Sequence, residues 1–466
     1  MLDFPNYLPQ RIEHGEPFCR VSKYSFQINQ SFVAALVCAE QKLRAIGKND
    51  WFQYIPDPGI WQEVSLVKIQ NMLRERVGQL ADETDTPRVR TMITQGLLSS
   101  MAGIARGMVH HTDFPKMDAD LIPCKNTVLR WDTSIQDWTQ MQFSPELNIQ
   151  KTLTVYYDPS AKIDFFIEKM REILSEDDLR LCQDYLGAAL FSHNYTHNFL
   201  YLYGEGGSGK GTLVLLMAGI LGLARTLNVD IKALSGDYEL SALEDQTLLI
   251  ASETAKNALC SLGAQKFKDI VGGEPIQPRR KYKNERSLHY GNYSLILTSN
   301  FEMKFDFEGS GQEWRRRMLA IHFANSIKNQ DKTLTEKLLK EHGSGILNWL
   351  LEGAARVRRN NWNITLTENQ TALRDKLIAS SKPLTIFVKD YIEKSIGNRF
   401  LSEEAFSLYA YCVGAGILPD LSKEAFFKQL AAEMRLAFGA ESKNSGTGIP
   451  NRGYYGFKLH DPRVRA

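Results

Sequence analysis

The run Phe199-Leu200-Tyr201-Leu202-Tyr203-Gly204-Glu205-Gly206-Gly207-Ser208-Gly209-Lys210-Gly211-Thr212 decides the fold. Its first five residues are apolar or aromatic and read as a short buried strand. A glycine-rich loop follows, and then an apolar helix begins at Thr212. Strand, loop and helix in this order form a phosphate cradle. Glycines let backbone N–H groups face phosphate oxygens, a lysine reaches the β- and γ-phosphates, and the helix N-terminus adds positive potential. Gly204, Gly206, Gly207, Ser208, Gly209, Lys210, Gly211 and Thr212 are therefore the expected nucleotide-binding residues, with ATP and Mg2+ as cofactors. Gly211 stands where a magnesium-binding Ser or Thr usually follows the lysine. Thr212, one residue later, is the expected metal ligand.

Two more apolar strands lie downstream, at 247–251 and 294–299. Strands this apolar fit a parallel sheet covered on both faces. The first ends in Ser252-Glu253, where an acidic residue at a strand tip can polarise an attacking water and help hold the metal. Glu253 could equally cap a helix starting at Thr254. The second strand ends in Thr298-Ser299-Asn300, and Asn300 is placed to sense a γ-phosphate. Alone it would read as a turn residue. Glu313-Trp314-Arg315-Arg316-Arg317 then precedes the apolar run Met318-Leu319-Ala320-Ile321-His322-Phe323. Three arginines are usually a solvated face. In a ring-shaped ATPase, however, Arg316 or Arg317 can complete the neighbouring subunit's site, and Arg317, adjoining the strand, is the first choice. Such a group is worth about a thousandfold or more in rate.

The rest of the chain sets bounds. Its 466 residues exceed one compact core. Charged residues make up 24% and the net charge is +2, so any basic surface is local. Six scattered cysteines form no CxxC pair and suit a reducing cytoplasm. The start lacks the pattern of a signal peptide, and the longest apolar stretch, 212–224, is too short to cross a bilayer. A cytoplasmic protein with no membrane partner is expected. Aromatics at Trp51, Trp61, Trp131 and Trp138 mark a mixed N-terminal region. Asp118 and Asp120 are its one tempting carboxylate pair, read as structural because the preceding 120 or so residues leave little room for a polymerase core.

These motifs, taken in order, resemble the superfamily 3 helicases of the phage, plasmid and poxvirus primase–helicase type. The resemblance runs through the cradle, Ala251-Ser252-Glu253, Phe267-Lys268-Asp269-Ile270-Val271-Gly272-Gly273-Glu274-Pro275-Ile276, Leu297-Thr298-Ser299-Asn300 and the block from Trp314 to Phe323. Asp50-Trp51-Phe52, Leu121-Ile122-Pro123-Cys124-Lys125-Asn126 and Tyr156-Tyr157-Asp158-Pro159 look like the domain preceding that helicase. His322 departs from the pattern, where many members have Pro, and so does Gly211, where many have Ser.

The resemblance implies an α/β fold: an AAA+ P-loop ATPase core with a mixed α/β N-terminal domain and a winged-helix-like C-terminal domain. The implied boundaries are 1–150 for the N-terminal domain, 151–195 for a helical collar, 196–330 for the core, 331–379 for a helical lid and 380–466 for the tail. The tail closes on an expected hairpin at 448–457. The resemblance implies a hexameric ring that hydrolyses ATP and moves along single-stranded DNA during replication of a mobile element. Single-stranded and forked DNA are the expected partners, along with a primase or polymerase. Lys268, and a β-hairpin after it carrying Arg279, Arg280, Lys281, Tyr282 and Lys283, would contact the DNA; basic residues around an aromatic suit backbone tracking and base stacking. Two other classes remain open. A P-loop nucleotide phosphotransferase would be a monomer indifferent to DNA. An ATP-gated origin-binding module would hydrolyse slowly and unwind nothing.

Overall fold

The computed structural model describes residues 13–22, 26–191, 193–231, 234, 243, 246–255, 258–260, 263–276, 289–290, 293–305, 312–327, 331–380, 383–415, 418, 421–444 and 452–460. The chain divides into two compact units. One comprises Met1–Ile163, Ala218–Arg225 and Lys337–Leu351, and the other Asp164–Met217, Thr226–Glu336 and Glu352–Ala466. Both are mixtures of helix and sheet. Among the described residues, no helix is long and apolar enough to cross a membrane.

The second unit is organised by five parallel strands. Their order across the sheet is Thr226–Asn228, Leu248–Ala251, Ser294–Ser299, Phe199–Gly204 and Met318–Phe323. We call the last four the glutamate, asparagine, cradle and arginine strands, after the residues at their ends. Every residue of the cradle, glutamate and asparagine strands is buried. This follows from their composition, since a parallel sheet covered on both faces has no solvent side to fill with polar residues. One face is packed by Phe199, Tyr201, Phe267, Leu295, Leu297 and Trp314.

Several buried polar groups inside this unit are paired across long stretches of sequence. The Tyr185 hydroxyl donates to Leu295 O at 2.8 Å and accepts from Leu295 N at the same distance. Burial pushes its pKa above the usual tyrosine range. Tyr185→Phe strands a buried N–H and carbonyl, so the domain should lose about 1–3 kcal/mol, read as a lower midpoint in thermal or urea unfolding.

The helix Leu334–Arg359 ends where Asn361 and Trp362 take left-handed φ of 51° and 64°. Farther on, Pro383–Tyr391, Ile392–Leu401, Ser402–Gly414, Lys423–Phe438, Lys443–Asn444 and Arg452–Leu459 run helix, strand, helix, helix, strand, strand. The three strands pair antiparallel, with Arg452–Leu459 in the middle. Leu384, Phe387, Tyr409, Phe426 and Tyr454 fill the core beneath them. The hairpin at the end is built from Lys443–Asn444 and Arg452–Leu459, so its first arm lies earlier than the 448–457 reading. Residues 445–451 lie outside the described residues.

In the first unit, Leu43–Ile46, Asp50–Ile55, Ile60–Val64 and His110–His111 form a four-stranded sheet. Gln30–Glu40, Leu66–Glu83 and Gln95–Met108 are its helices, and Phe32, Leu73, Val77, Met101 and Trp51 share their core. A separate three-stranded sheet holds Leu121–Pro123, Val128–Asp132 and Asp137–Met141. Asp118 pairs with Arg130 at 3.6 Å and caps the N–H of Asp120 at 3.1 Å.

Candidate nucleotide site

Three strand tips meet at one edge of the sheet. Tyr203 of the cradle strand is level with Ser299 of the asparagine strand, and Ala251 of the glutamate strand is level with Leu297. Gly204, Asn300 and Glu253 therefore emerge together at the carboxyl edge, where parallel α/β sheets bind their ligands. The glutamate strand is two places from the cradle strand, which sets a spacing of about 10 Å between them.

The cradle needs its glycines. Gly204, Gly207 and Gly209 have φ of 145°, 78° and 95°, which side chains rarely tolerate. A Cβ on Gly204 would also lie 2.2 Å from the carbonyl oxygen of Phe323. The following helix, Lys210–Leu221, starts at the lysine itself. Lys210 is buried, and its amino group donates to Gly204 O at 2.7 Å, Glu205 O at 2.8 Å and Ser208 Oγ at 3.1 Å. Burial lowers its pKa. These are neutral acceptors that phosphate oxygens could replace, so the loop fits an anionic ligand. Ser208 is buried, its hydroxyl donating to Glu205 O at 2.8 Å. Gly206 and Gly211 have open space where a Cβ would stand. Thr212 is half-buried in the first helical turn.

Glu253 is exposed and has φ of 49°, a conformation that costs a non-glycine residue energy and needs outside support. The support comes from the asparagine strand. Thr298 Oγ1 accepts the N–H of Glu253 at 3.1 Å, and Thr298 O accepts the N–H of Thr254 at 2.8 Å. Ser299 Oγ donates to Thr254 O at 2.9 Å. No helix starts at Thr254 for Glu253 to cap; the next described helical turn is Ala258–Cys260. Sequence reasoning singled out Asn300 and passed over Thr298 and Ser299. Their signal was two polar residues directly after the apolar run Leu295-Ile296-Leu297; they are 7% and 1% exposed. Thr298→Val should release Glu253 from its strained backbone, read as faster hydrogen exchange of the Glu253 amide beside wild type.

Asn300 is exposed at its strand tip. Just beyond it, Tyr201 receives the N–H of Met303 at 2.9 Å and donates to Phe301 O at 2.8 Å, which anchors the segment after Asn300 to the cradle strand. At the same edge His322, exposed, stacks on Tyr203 with centroids 4.6 Å apart. No group of three or more His, Cys, Asp or Glu placed for a metal occurs among the described residues. Magnesium commonly needs only one or two protein oxygens beside substrate phosphates and water, and Thr212 and Glu253 could supply them.

The arginines lie at the opposite edge. Met318, which follows Arg317, is level with Phe199 at the start of the cradle strand, and Phe323 with Gly204 at its end. That is a separation of about 17–20 Å along the sheet, beyond an arginine's reach to its own cradle. Arg315 pairs with Asp375 at 3.2 Å. Arg316 is exposed, while Arg317 is half-buried with its guanidinium against Gly272. Lys268 lies on the helix Gly263–Gly272, with its amino group 3.3 Å from Glu313. After that helix, Pro275–Ile276 pairs antiparallel with His289–Tyr290. Arg279, Arg280, Lys281, Tyr282 and Lys283 fall between these two strands in sequence and lie outside the described residues.

A protein-family model matches residues 202–317, from the cradle to the arginine run; it describes a family of unknown function, DUF5906. No curated protein matches the chain. Among solved structures, the apo structure of the NrS-1 C-terminal region (305–718) is similar over 93% of this chain and 99% of its own, with 14% identity and a TM-score of 0.51. An A-form apo structure of the same region matches over 91% of this chain and 99% of its own, with 14% identity and a TM-score of 0.50. Similarity at this identity shows a shared fold.

Proposed function

We propose that this chain is an ATP-driven DNA helicase of the superfamily 3 type, working as a homo-oligomeric ring on single-stranded DNA during replication of a mobile element. One observation supports the reading: the glycine loop with Lys210 and the arginine run lie at opposite edges of one sheet. Lys210, Thr212, Glu253 and Asn300 gather at the carboxyl edge, and Arg316 is exposed at the other. A chain built this way can complete a site only with a second copy. A ring is the closed arrangement in which every copy both lends and receives the arginine.

In this account the cradle and Lys210 hold the phosphates of ATP, and Thr212 and Glu253 hold magnesium, which supplies charge neutralisation when bound. Glu253 polarises the attacking water and Asn300 senses the γ-phosphate. Arg316 serves the neighbour, since it is the exposed one of the pair. Arg279, Arg280, Lys281, Tyr282 and Lys283 would meet DNA from the stretch between Pro275–Ile276 and His289–Tyr290, together with Lys268, whose amino group pairs with Glu313. The helix, strand, helix, helix, strand, strand order of the tail supports a winged-helix reading, and the cradle in a five-stranded parallel sheet supports an AAA+ core.

Unwinding of a forked duplex with ATP, wild type beside Lys210→Ala, tests the proposal. The wild type should separate strands, and Lys210→Ala should do so at least about a hundredfold more slowly. A wild type that assembles and hydrolyses ATP but never separates strands would remove the motor reading.

A further inference from the structure

The antiparallel sheet near the end of the chain carries a protrusion on its edge strand. Ile392–Leu401 pairs with Arg452–Leu459, Lys394 level with Phe457 and Arg399 level with Tyr455. Between those two pairs, Ser395, Ile396, Gly397 and Asn398 stand opposite Gly456 alone. Gly397 and Gly456 have φ of 86° and 83°, so both chains can turn sharply where the ladder breaks. The protrusion is closed at its base, where Asn398 Nδ2 donates to Ser395 Oγ at 2.8 Å. The ladder on either side of it is anchored in the core, through Ile392 and Phe457 at one end and Phe400 and Tyr454 at the other. Ile396 is thereby held out from the sheet, 102% exposed. Bulges of this kind re-aim side chains and cluster at working surfaces.

A single exposed aliphatic residue is ordinary on a protein surface. Here the surroundings add charge. The three strands of the sheet carry Lys394, Arg399, Lys443, Arg452 and Lys458, all exposed, against one carboxylate, Glu393. Glu393 is already engaged by Lys458 and by His460, the latter at 2.6 Å. Lys394 and Arg399 bracket the protrusion directly. Arg399 lies 5.8 Å from the ring centroid of Tyr455, itself exposed, and donates to its hydroxyl at 3.4 Å. An apolar tip between cations complements a polyanion with an apolar interior, which is the chemistry of stacked bases behind a phosphate backbone. Aliphatic side chains can enter a base step and unstack it, while cations beside them hold the phosphates. The last pair of a duplex is stacked on one neighbour only and is the cheapest to open.

We propose that Ile396 is a wedge that enters duplex DNA at a fork and unstacks its last base pair, with Lys394 and Arg399 holding the phosphates on either side. This deepens the helicase reading above and rests on it for a moving fork. The insertion itself needs no ATP.

The test uses the full chain and a forked duplex with 2-aminopurine in its last pair, a base that brightens when unstacked. Without nucleotide, the wild type should brighten the probe on binding. Ile396→Ser should bind the fork with near wild-type affinity by anisotropy and leave the probe dark, and Ile396→Leu should restore the signal. Lys394→Ala and Arg399→Ala should weaken binding, each reducing the slope of log affinity against log salt by about one. With ATP, Ile396→Ser should hydrolyse at the wild-type rate on single-stranded DNA yet unwind the fork more slowly. Full brightening by Ile396→Ser would overturn the proposal, as would a wild type that binds the fork and leaves the probe dark. A wild type that binds no fork overturns it too, and a changed assembly size for Ile396→Ser in gel filtration would then make the residue a protein contact. Brightening that depends on Ile396 in a chain that never unwinds DNA with ATP leaves the wedge standing and removes the motor reading instead.

Discussion

Arg316→Ala in every subunit should lower the rate of ATP hydrolysis about a thousandfold or more, with ATP binding nearly intact. The size follows from the role proposed for the residue. Negative charge on the transferred phosphoryl group is redistributed in the transition state, and a guanidinium placed against it stabilises that state more than bound ATP. The selectivity follows from position. Arg316 sits at the amino edge of the sheet, a strand's length from its own cradle, so truncating it leaves Lys210 and the glycine loop in place. Fluorescent-nucleotide binding should barely change while single-turnover hydrolysis collapses. If binding and hydrolysis fall together, Arg316 supports the fold and not the neighbour's chemistry. The same substitution at Arg315 should have a smaller effect on the rate, because that side chain is engaged with Asp375.

Glu253→Gln should lower kcat by about a hundredfold to ten-thousandfold, the range for losing a positioned general base. The amide keeps the size of the side chain and can still orient water, but it cannot take a proton. The backbone should be undisturbed, since the support at this position is Thr298 Oγ1 on the N–H of residue 253, independent of the side chain. ATP should therefore bind and remain unhydrolysed, and the ring should persist in its nucleotide-bound form. Rapid hydrolysis by Glu253→Gln would move the base elsewhere. Restored activity in Glu253→Asp would be unexpected, because the shorter side chain draws the carboxylate back from a strand tip whose backbone is held.

Much of this was legible in the sequence because the deciding features are local. The strand, glycine loop and lysine are contiguous, and their chemistry fixes their geometry almost without help. The strand ends at Glu253 and Asn300 were legible for a related reason: fully buried parallel strands are short apolar runs, and polar residues mark where they stop. What escaped depends on contacts between segments far apart in the chain. Thr298 braces Glu253 across 45 positions of sequence. Gly272 accommodates Arg317 from a different helix. The preference for Arg317 over Arg316 came from adjacency to the strand, yet which arginine faces outward depends on the helix Gln312–Arg317 and on what packs beside it. The terminal hairpin shifted for a similar reason. Its first arm, Lys443–Asn444, is only two residues long, too short to carry a periodic signal.

The central claim is that each nucleotide site is shared between copies of the chain. Mixing Lys210→Ala subunits with Arg316→Ala subunits tests it most directly. Each variant alone should be close to inactive. In mixed assemblies, some interfaces pair an intact cradle from an Arg316→Ala subunit with an intact Arg316 from a Lys210→Ala subunit. The account predicts that ATP hydrolysis then rises well above the sum of the two separate preparations. Mixed assemblies that form, shown by co-purification of differently tagged subunits, yet stay as inactive as their components would contradict it.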